Sequence, residues 1–266
     1  MPKIELHHLQ FSYPEKSFNL AVENQVFADS MAAIVGQNGA GKSTIFKLLT
    51  GLLKATTGTI KVNGTELGEL KPADRLKTIG ITFQNPDDQL FNATVKREVE
   101  WSLSQISSDK AINSQRADQV LEKVGLTEKA EENPYDLSLS ERKLLTVATV
   151  LAVDPAVYLF DEPMMSLDWP SKQMLTDIFH ELSADGHQVI TITHDMDWVA
   201  AEFSSVAVME HGRIKFTGAP RELFGDRDLV QRVGLLPPKI MALTQMLGDP
   251  KTYLSPEDYQ VKHQNM

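Results

Sequence analysis

Apolar positions along this chain fall in short unbroken runs, and between the runs they recur at a helical period, the alternation expected of an α/β domain. Lys3 to Val35 reads as strand-rich, with turn residues at Tyr13-Pro14-Glu15 and Glu23-Asn24. Within it, Met31 to Val35 is apolar throughout and predicts a buried strand, and Thr44 to Leu53 then predicts a helix. Thr59 to Val62 and Thr78 to Phe83 are strand-like. From about Thr94 to Asn133 the chain turns polar and helical, with Val120, Leu121 and Val124 as its apolar positions. The strand pattern resumes at Ala156 to Phe160, Gln188 to Thr193 and Val206 to Met209. Beyond Pro237-Pro238, the residues Ile240, Leu243 and Leu247 share one helical face, read first as packing on the body and second as a dimer contact. No internal repeat or low-complexity tract interrupts this order.

Composition narrows the class. The chain has 266 residues, 42% apolar and 23% charged, which suits a soluble globular protein with a full core. Its net charge of −10 disfavours a broad nucleic-acid-binding face. With no cysteine there are no disulfides and no thiolate metal sites. Met1-Pro2-Lys3-Ile4-Glu5-Leu6 lacks the apolar core of a signal peptide. The longest apolar stretch, Val147 to Phe160, is cut by Asp154-Pro155, so the chain is not expected to span a membrane itself.

The chemistry begins at Gly36-Gln37-Asn38-Gly39-Ala40-Gly41-Lys42-Ser43, which fits the phosphate-loop pattern G-x-x-x-x-G-K-[ST] at every fixed position. The apolar run before it and the helical run from Thr44 after it supply the strand–loop–helix context. Glycines there let backbone N–H groups turn toward phosphate oxygens at a helix N-terminus. Lys42 then reaches the β- and γ-phosphates, and the Ser43 hydroxyl sits on Mg²⁺. A second motif is the apolar strand ending in Asp161-Glu162-Pro163, which puts two carboxylates at the carboxyl edge of a parallel sheet. Asp161 suits Mg²⁺, and Glu162 suits orienting and polarising the attacking water.

Four further positions gain meaning from their order. His194 closes the β-branched strand Ile190-Thr191-Ile192-Thr193 and can donate to a γ-phosphate. Gln84, just after Phe83, offers an amide to Mg²⁺ or to the water. Tyr13 can stack on adenine or simply pack in the core. Asp168, in Ser166-Leu167-Asp168, can reach across a dimer interface.

The ordered set of Tyr13, the phosphate loop, Gln84, the 138–142 segment, Asp161-Glu162, Ser166-Leu167-Asp168 and His194 resembles the ATP-binding-cassette (ABC) ATPase subunit of a transporter, over about residues 3 to 235. Phe83-Gln84-Asn85-Pro86-Asp87-Asp88-Gln89-Leu90-Phe91 and the Pro237-Pro238 tail are similar to the ATPases of energy-coupling-factor and cobalt-type importers. The resemblance implies an α/β fold: a P-loop (RecA-like) core, an antiparallel β lobe and a helical subdomain inserted at about 88–150. The ATPase domain then covers 1–235, and 236–266 is a C-terminal helical extension. It also implies ATP and Mg²⁺ as cofactors and a place on the cytoplasmic face of the cell membrane. The implied partners are a second ATPase, a membrane coupling subunit, and a substrate-binding membrane subunit for a vitamin or metal ion. Acids at Asp87 and Asp88 would meet basic side chains of that membrane partner.

One departure matters. Where the family carries Leu-Ser-Gly-Gly-Gln, this chain has Leu137-Ser138-Leu139-Ser140-Glu141, and the frame is set by Pro155, seventeen residues after Ser138. Ser138 remains to bind a phosphate held by the opposite subunit. Leu139 blocks close backbone approach, and Glu141 brings a carboxylate toward a polyanion. The expectation is a heterodimer with a paralogue that retains the glycines. A soluble ATPase acting on DNA or ribosomes, and a non-hydrolysing nucleotide-binding subunit, are the alternatives.

Overall fold

The computed structural model describes residues 1–14, 18–249 and 251–263. Glu15 of the expected turn, and Pro250 and the last three residues of the expected extension, lie outside that set. Strands β1 (Ile4–Ser12), β2 (Asn19–Phe27), β4 (Thr57–Val62) and β5 (Thr65–Glu66) form an antiparallel sheet in the order β2-β1-β4-β5. A second sheet runs β10-β9-β3-β8-β7-β6, built from β3 (Met31–Val35), β6 (Ile79–Thr82), β7 (Val157–Asp161), β8 (Gln188–Ile192), β9 (Ser205–Glu210) and β10 (Arg213–Gly218). All its neighbours pair in parallel except β9 and β10, which close an antiparallel edge.

The central strands β3, β7 and β8 are buried at every position, as unbroken apolar runs in a sheet covered on both faces must be. The period of two then sorts their side chains into two cores. Ala33, Val35, Tyr158 and Phe160 join the core beneath the long helices, while Ala32, Ile34, Val157 and Leu159 join the core shared with the antiparallel sheet. Helix α1 (Lys42–Leu49) follows β3 and buries Ile45, Phe46, Leu48 and Leu49 in the second core. Helix α2 (Pro72–Thr78) leads into β6.

Between β6 and β7 lie α3 (Val95–Ser104), α4 (Lys110–Lys123) and α5 (Leu139–Val153). Helix α5 stops because Asp154 takes a left-handed backbone, φ 57°, ahead of Pro155, which is what divides the longest apolar stretch into a helix and a strand. Helices α6 (Trp169–Ala184), α7 (Met196–Glu202), α8 (Pro220–Gly225) and α9 (Arg227–Arg232) complete the first core's cover. Among the described residues, no helix is long and apolar enough to cross a membrane.

The tail forms α10 (Lys239–Met246) and α11 (Pro256–His263). Its expected apolar stripe is not its buried face. Ile240 packs on the core, but Leu243 and Leu247 are exposed, while Met241 and Thr244 are buried. The cause is the anchoring of the helix start: the Lys239 amide donates to Asp197 Oδ1 at 2.7 Å and its ammonium pairs with Oδ2 at 2.8 Å, which sets the rotation of α10.

Every strand that carries the site ends at the same edge, and Phe160 holds that edge from below. It is fully buried and stacks on Phe179 with ring centroids 4.4 Å apart. Phe160→Ala should lower stability by about 3–5 kcal/mol in a urea titration, the usual cost of emptying an aromatic site in a core.

Candidate functional site

At the carboxyl edge of the parallel sheet, the 36–43 turn leaves β3 and wraps the N-terminus of α1. Gly41 caps that helix with φ 106°, and Gly36 has φ 148°, with the space of a missing Cβ only 2.2 Å from the Met209 carbonyl oxygen. A side chain at either position is excluded, by backbone at Gly36 and by backbone conformation at Gly41. The turn bounds a cleft of about 500 Å³, lined by Asn38, Gly39, Ala40, Gly41, Lys42, Ser43 and Thr44. Tyr13 and Gln84 line the same cleft, as do Asp161, Glu162 and His194. Gly36 and Gln37 stand behind it, where their carbonyl oxygens accept from Lys42 Nζ at 2.7 and 3.0 Å.

Lys42, Asp161 and Glu162 are each only 7% exposed. Burial pushes Lys42 below its usual range, against the pull of Glu162 and Asp161. Burial raises Asp161, and the Ser43 hydroxyl donating to its carboxylate opposes that rise. Burial also drives Glu162 up to about 7, only partly offset by the hydrogen bond from the His194 amide. That amide reaches Glu162 Oε2 at 3.3 Å, and the ring Nε2 lies 3.3 Å from Oε1, although Oε1 makes no hydrogen bond. His194 is itself held below the ordinary histidine value, first by burial and then by Lys42, so it enters neutral solution uncharged.

Ser43 and Asp161 in direct contact, with Gln84 on the same cleft, offer an all-oxygen donor set with room for water and phosphate. That arrangement fits Mg²⁺, a hard cation that accepts few protein ligands and keeps several waters. Tyr13 meets Phe11 edge-on with ring centroids 4.8 Å apart, and its hydroxyl lies 3.3 Å from Thr44 Oγ1, so the ring packs and lines the cleft at once. Phe18 was not anticipated. It lines the cleft beside Gly41, and an added Cβ there would meet its ring at 2.8 Å. Its only signal in the sequence is a second aromatic just beyond Tyr13.

Besides Gly36 and Gln37, two expected binding residues stand outside this cleft. Asp168 caps α6, accepting from the Ser171 amide at 3.0 Å. Ser138 caps α5, and here the altered signature takes an unexpected form. Glu141 folds back so that its Oε2 accepts from the Ser138 hydroxyl at 2.7 Å and from the Ser138 amide at 2.9 Å. Its Oε1 lies 2.5 Å from the Lys129 ammonium. Lys129 and Ser138 together hold the Glu141 carboxyl down at about 2. Leu139 stays exposed beside it. Nearby, Asp87 is already paired with Arg142 of α5 at 2.9 Å, whereas Asp88 remains at the surface.

The reciprocal cap has a pH signature. Because the folded value of Glu141 is depressed, its contribution is present above pH 4.5 and fades as pH falls toward 2. Glu141→Ala should therefore cost about 1 kcal/mol at neutral pH. In denaturant titrations the gap from the parent chain should narrow steadily below pH 4.5.

A family model described as ABC transporter matches residues 21–165. The chain is 34% identical to the energy-coupling factor transporter ATP-binding protein EcfA of Carboxydothermus hydrogenoformans, over 90% of this chain and 89% of that one. It is 36% identical to EcfA1 of Mycoplasma pneumoniae, over 88% of this chain and 85% of that one. Among solved structures, cbiO1 from Clostridium perfringens, part of the ABC transporter complex cbiONQ, superposes with a TM-score of 0.74 at 29% identity, covering 91% of this chain and 98% of that one. A dimeric ATP-binding cassette bound to ADP and phosphate shares the fold, with a TM-score of 0.73 at 22% identity over 82% of this chain and 99% of that one. The phosphate-loop cleft and these likenesses along nearly the whole chain lead to one conclusion: this protein belongs to the ATP-hydrolysing subunits of ABC transporters, in their energy-coupling-factor group.

Proposed function

We propose that this chain powers uptake of a micronutrient, a vitamin or a metal ion, as one of two unequal ATPases beneath a membrane coupling subunit. That subunit carries a separate substrate-binding membrane protein, and the chain works peripherally on the cytoplasmic face of the membrane. The observation behind the unequal pairing is the Glu141 carboxylate resting on both Ser138 donors. In a head-to-tail pair, each nucleotide lies between one subunit's phosphate loop and the other's signature segment. Two copies of this chain would turn Leu139 and a bound carboxylate toward both γ-phosphates. A paralogue with glycines in that segment leaves one complete site, and this chain supplies Lys42, Asp161, Glu162 and His194 to it. In this reading residues 1–235 are the ATPase unit, the helices inserted at about 88–150 face the membrane partner, and 236–266 is an extension. Asp87 is engaged by Arg142, so Asp88 is the acid left to meet a basic side chain of that partner.

The position of each residue supports the part proposed for it in hydrolysis. The amides of the 38–44 turn take the phosphate oxygens, and Lys42 exchanges two carbonyl partners for the β- and γ-phosphates. Ser43, Asp161 and Gln84 would hold Mg²⁺, and the bound ion would supply charge screening for the phosphates. Glu162 orients the attacking water and accepts its proton, a task suited to a carboxylate raised to about 7 by burial. His194, neutral and beside Glu162, donates to the γ-phosphate and registers its loss.

Purified alone, the chain should turn over ATP far more slowly than the assembly that co-purifies with it from membranes. Robust turnover by the lone chain would remove the unequal pair. In the assembly, Glu162→Gln should lower the hydrolysis rate about 10²–10⁴-fold, the usual contribution of a general base, while ATP-dependent closure of the pair persists. An unaffected rate would reassign the base.

A further inference from the structure

Lys143 lies in the first turns of α5 and is 5% exposed, yet it faces neither solvent nor the cleft. Its Nζ donates to the Glu162 carbonyl oxygen at 2.7 Å. A buried ammonium is tolerated only where it is hydrogen-bonded and its charge is answered, and the charges answering this one are Glu162 and Asp161. Its partner is an unusual piece of backbone. Glu162 has φ 51°, a left-handed conformation that few residues with a side chain adopt. Such geometry persists only where the surroundings fix it from several directions.

Here the fixing groups can be named. The Glu162 amide donates to the Ile192 carbonyl at 2.9 Å, and its carbonyl accepts from Lys143 and, at 3.3 Å, from the Met165 amide. The amide side is held by the neighbouring strand, and the carbonyl side is held across the molecule by α5. A void of about 10 Å³ adjoins Lys143, under Thr82, Phe83 and Leu167. That is at most room for one water, so solvent is a poor substitute for the ammonium while the side-chain volume is kept.

We infer that Lys143 is a positioning residue for ATP hydrolysis: it clamps the left-handed Glu162 peptide so that the carboxylate faces the attacking water. The inference rests on the reading of Glu162 as the base. Helix α5 brings other ties to this clamp. Arg142 pairs with Asp87 at 2.9 Å, and Thr149 Oγ1 accepts from Gln89 at 3.0 Å. The clamp therefore rides on the helix that is pinned to the segment following Gln84.

The test compares Lys143→Met, which keeps the volume and removes the donor, with Lys143→Arg and Glu162→Gln. All are measured in the assembly purified from membranes through the tagged chain. Lys143→Met should lower kcat about 10–100-fold, the scale of a small misplacement of a reacting group, with KM for ATP unchanged. Lys143→Arg should recover most of that loss. In the isolated chain without nucleotide, amide exchange across 163–168 should quicken in Lys143→Met, a readout independent of turnover. Parental kcat in Lys143→Met beside an inactive Glu162→Gln overturns the positioning role. A raised KM at parental kcat overturns it as well. Full activity in Glu162→Gln overturns the base assignment, and this inference with it.

Discussion

Four charged side chains, Lys42, Lys143, Asp161 and Glu162, are buried together at one edge of a parallel sheet, and the rest of the site answers to that constraint. Removing charge from water is costly unless it is paired or hydrogen-bonded. Here two carboxylates face two ammoniums, Lys42 and Lys143, and each of the four is pushed toward its neutral form by burial. The cluster suits the proposed guest, a polyanion that would draw Lys42 off its carbonyls and a cation that would join Ser43 and Asp161. The parallel strands matter because they deliver these groups to one place from distant points in the chain. Gly36 and Gly41 matter because only their backbones let the turn close around the guest.

The signature segment solves a related problem in the opposite way. A helix N-terminus with exposed donors attracts an anion. At the phosphate loop no side chain caps α1. At α5 the chain supplies its own anion, since Glu141 satisfies Ser138 and is held in turn by Lys129. The same local physics thus leaves one helix start available and the other capped. An asymmetry of this kind within one chain is the physical ground for the proposed pairing with a different chain.

Much of the fold was legible because buried parallel strands leave continuous apolar runs. Met31 to Val35, Ala156 to Phe160 and Gln188 to Thr193 announced β3, β7 and β8 to within a residue or so at each end. The edge strand β10 was missed, because its exposed positions carry Arg213, Lys215 and Thr217 and only Ile214 and Phe216 alternate with them. The cleft was legible where spacing is dictated by phosphate geometry, and so the 36–43 turn, Asp161, Glu162 and His194 converge as their order suggested. Phe18 and Lys143 were not legible. Each acts through a contact far along the chain, with Gly41 in one case and the Glu162 carbonyl in the other. The Glu141 turn-back was readable as a capping box, Ser138 to Glu141, but comparison with a glycine-rich motif drew attention to charge repulsion instead. The tail's stripe misled because periodicity gives a face without its direction, and the Asp197 anchor sets that direction.

The most direct measurement of the whole account is a calorimetric titration of the folded chain with ATP, with and without Mg²⁺, beside a Lys42→Ala variant. Saturable binding at a single site per chain is expected, strengthened by Mg²⁺ and lost in the variant. Absence of saturable binding in the presence of Mg²⁺, or equal binding by the variant, would contradict it.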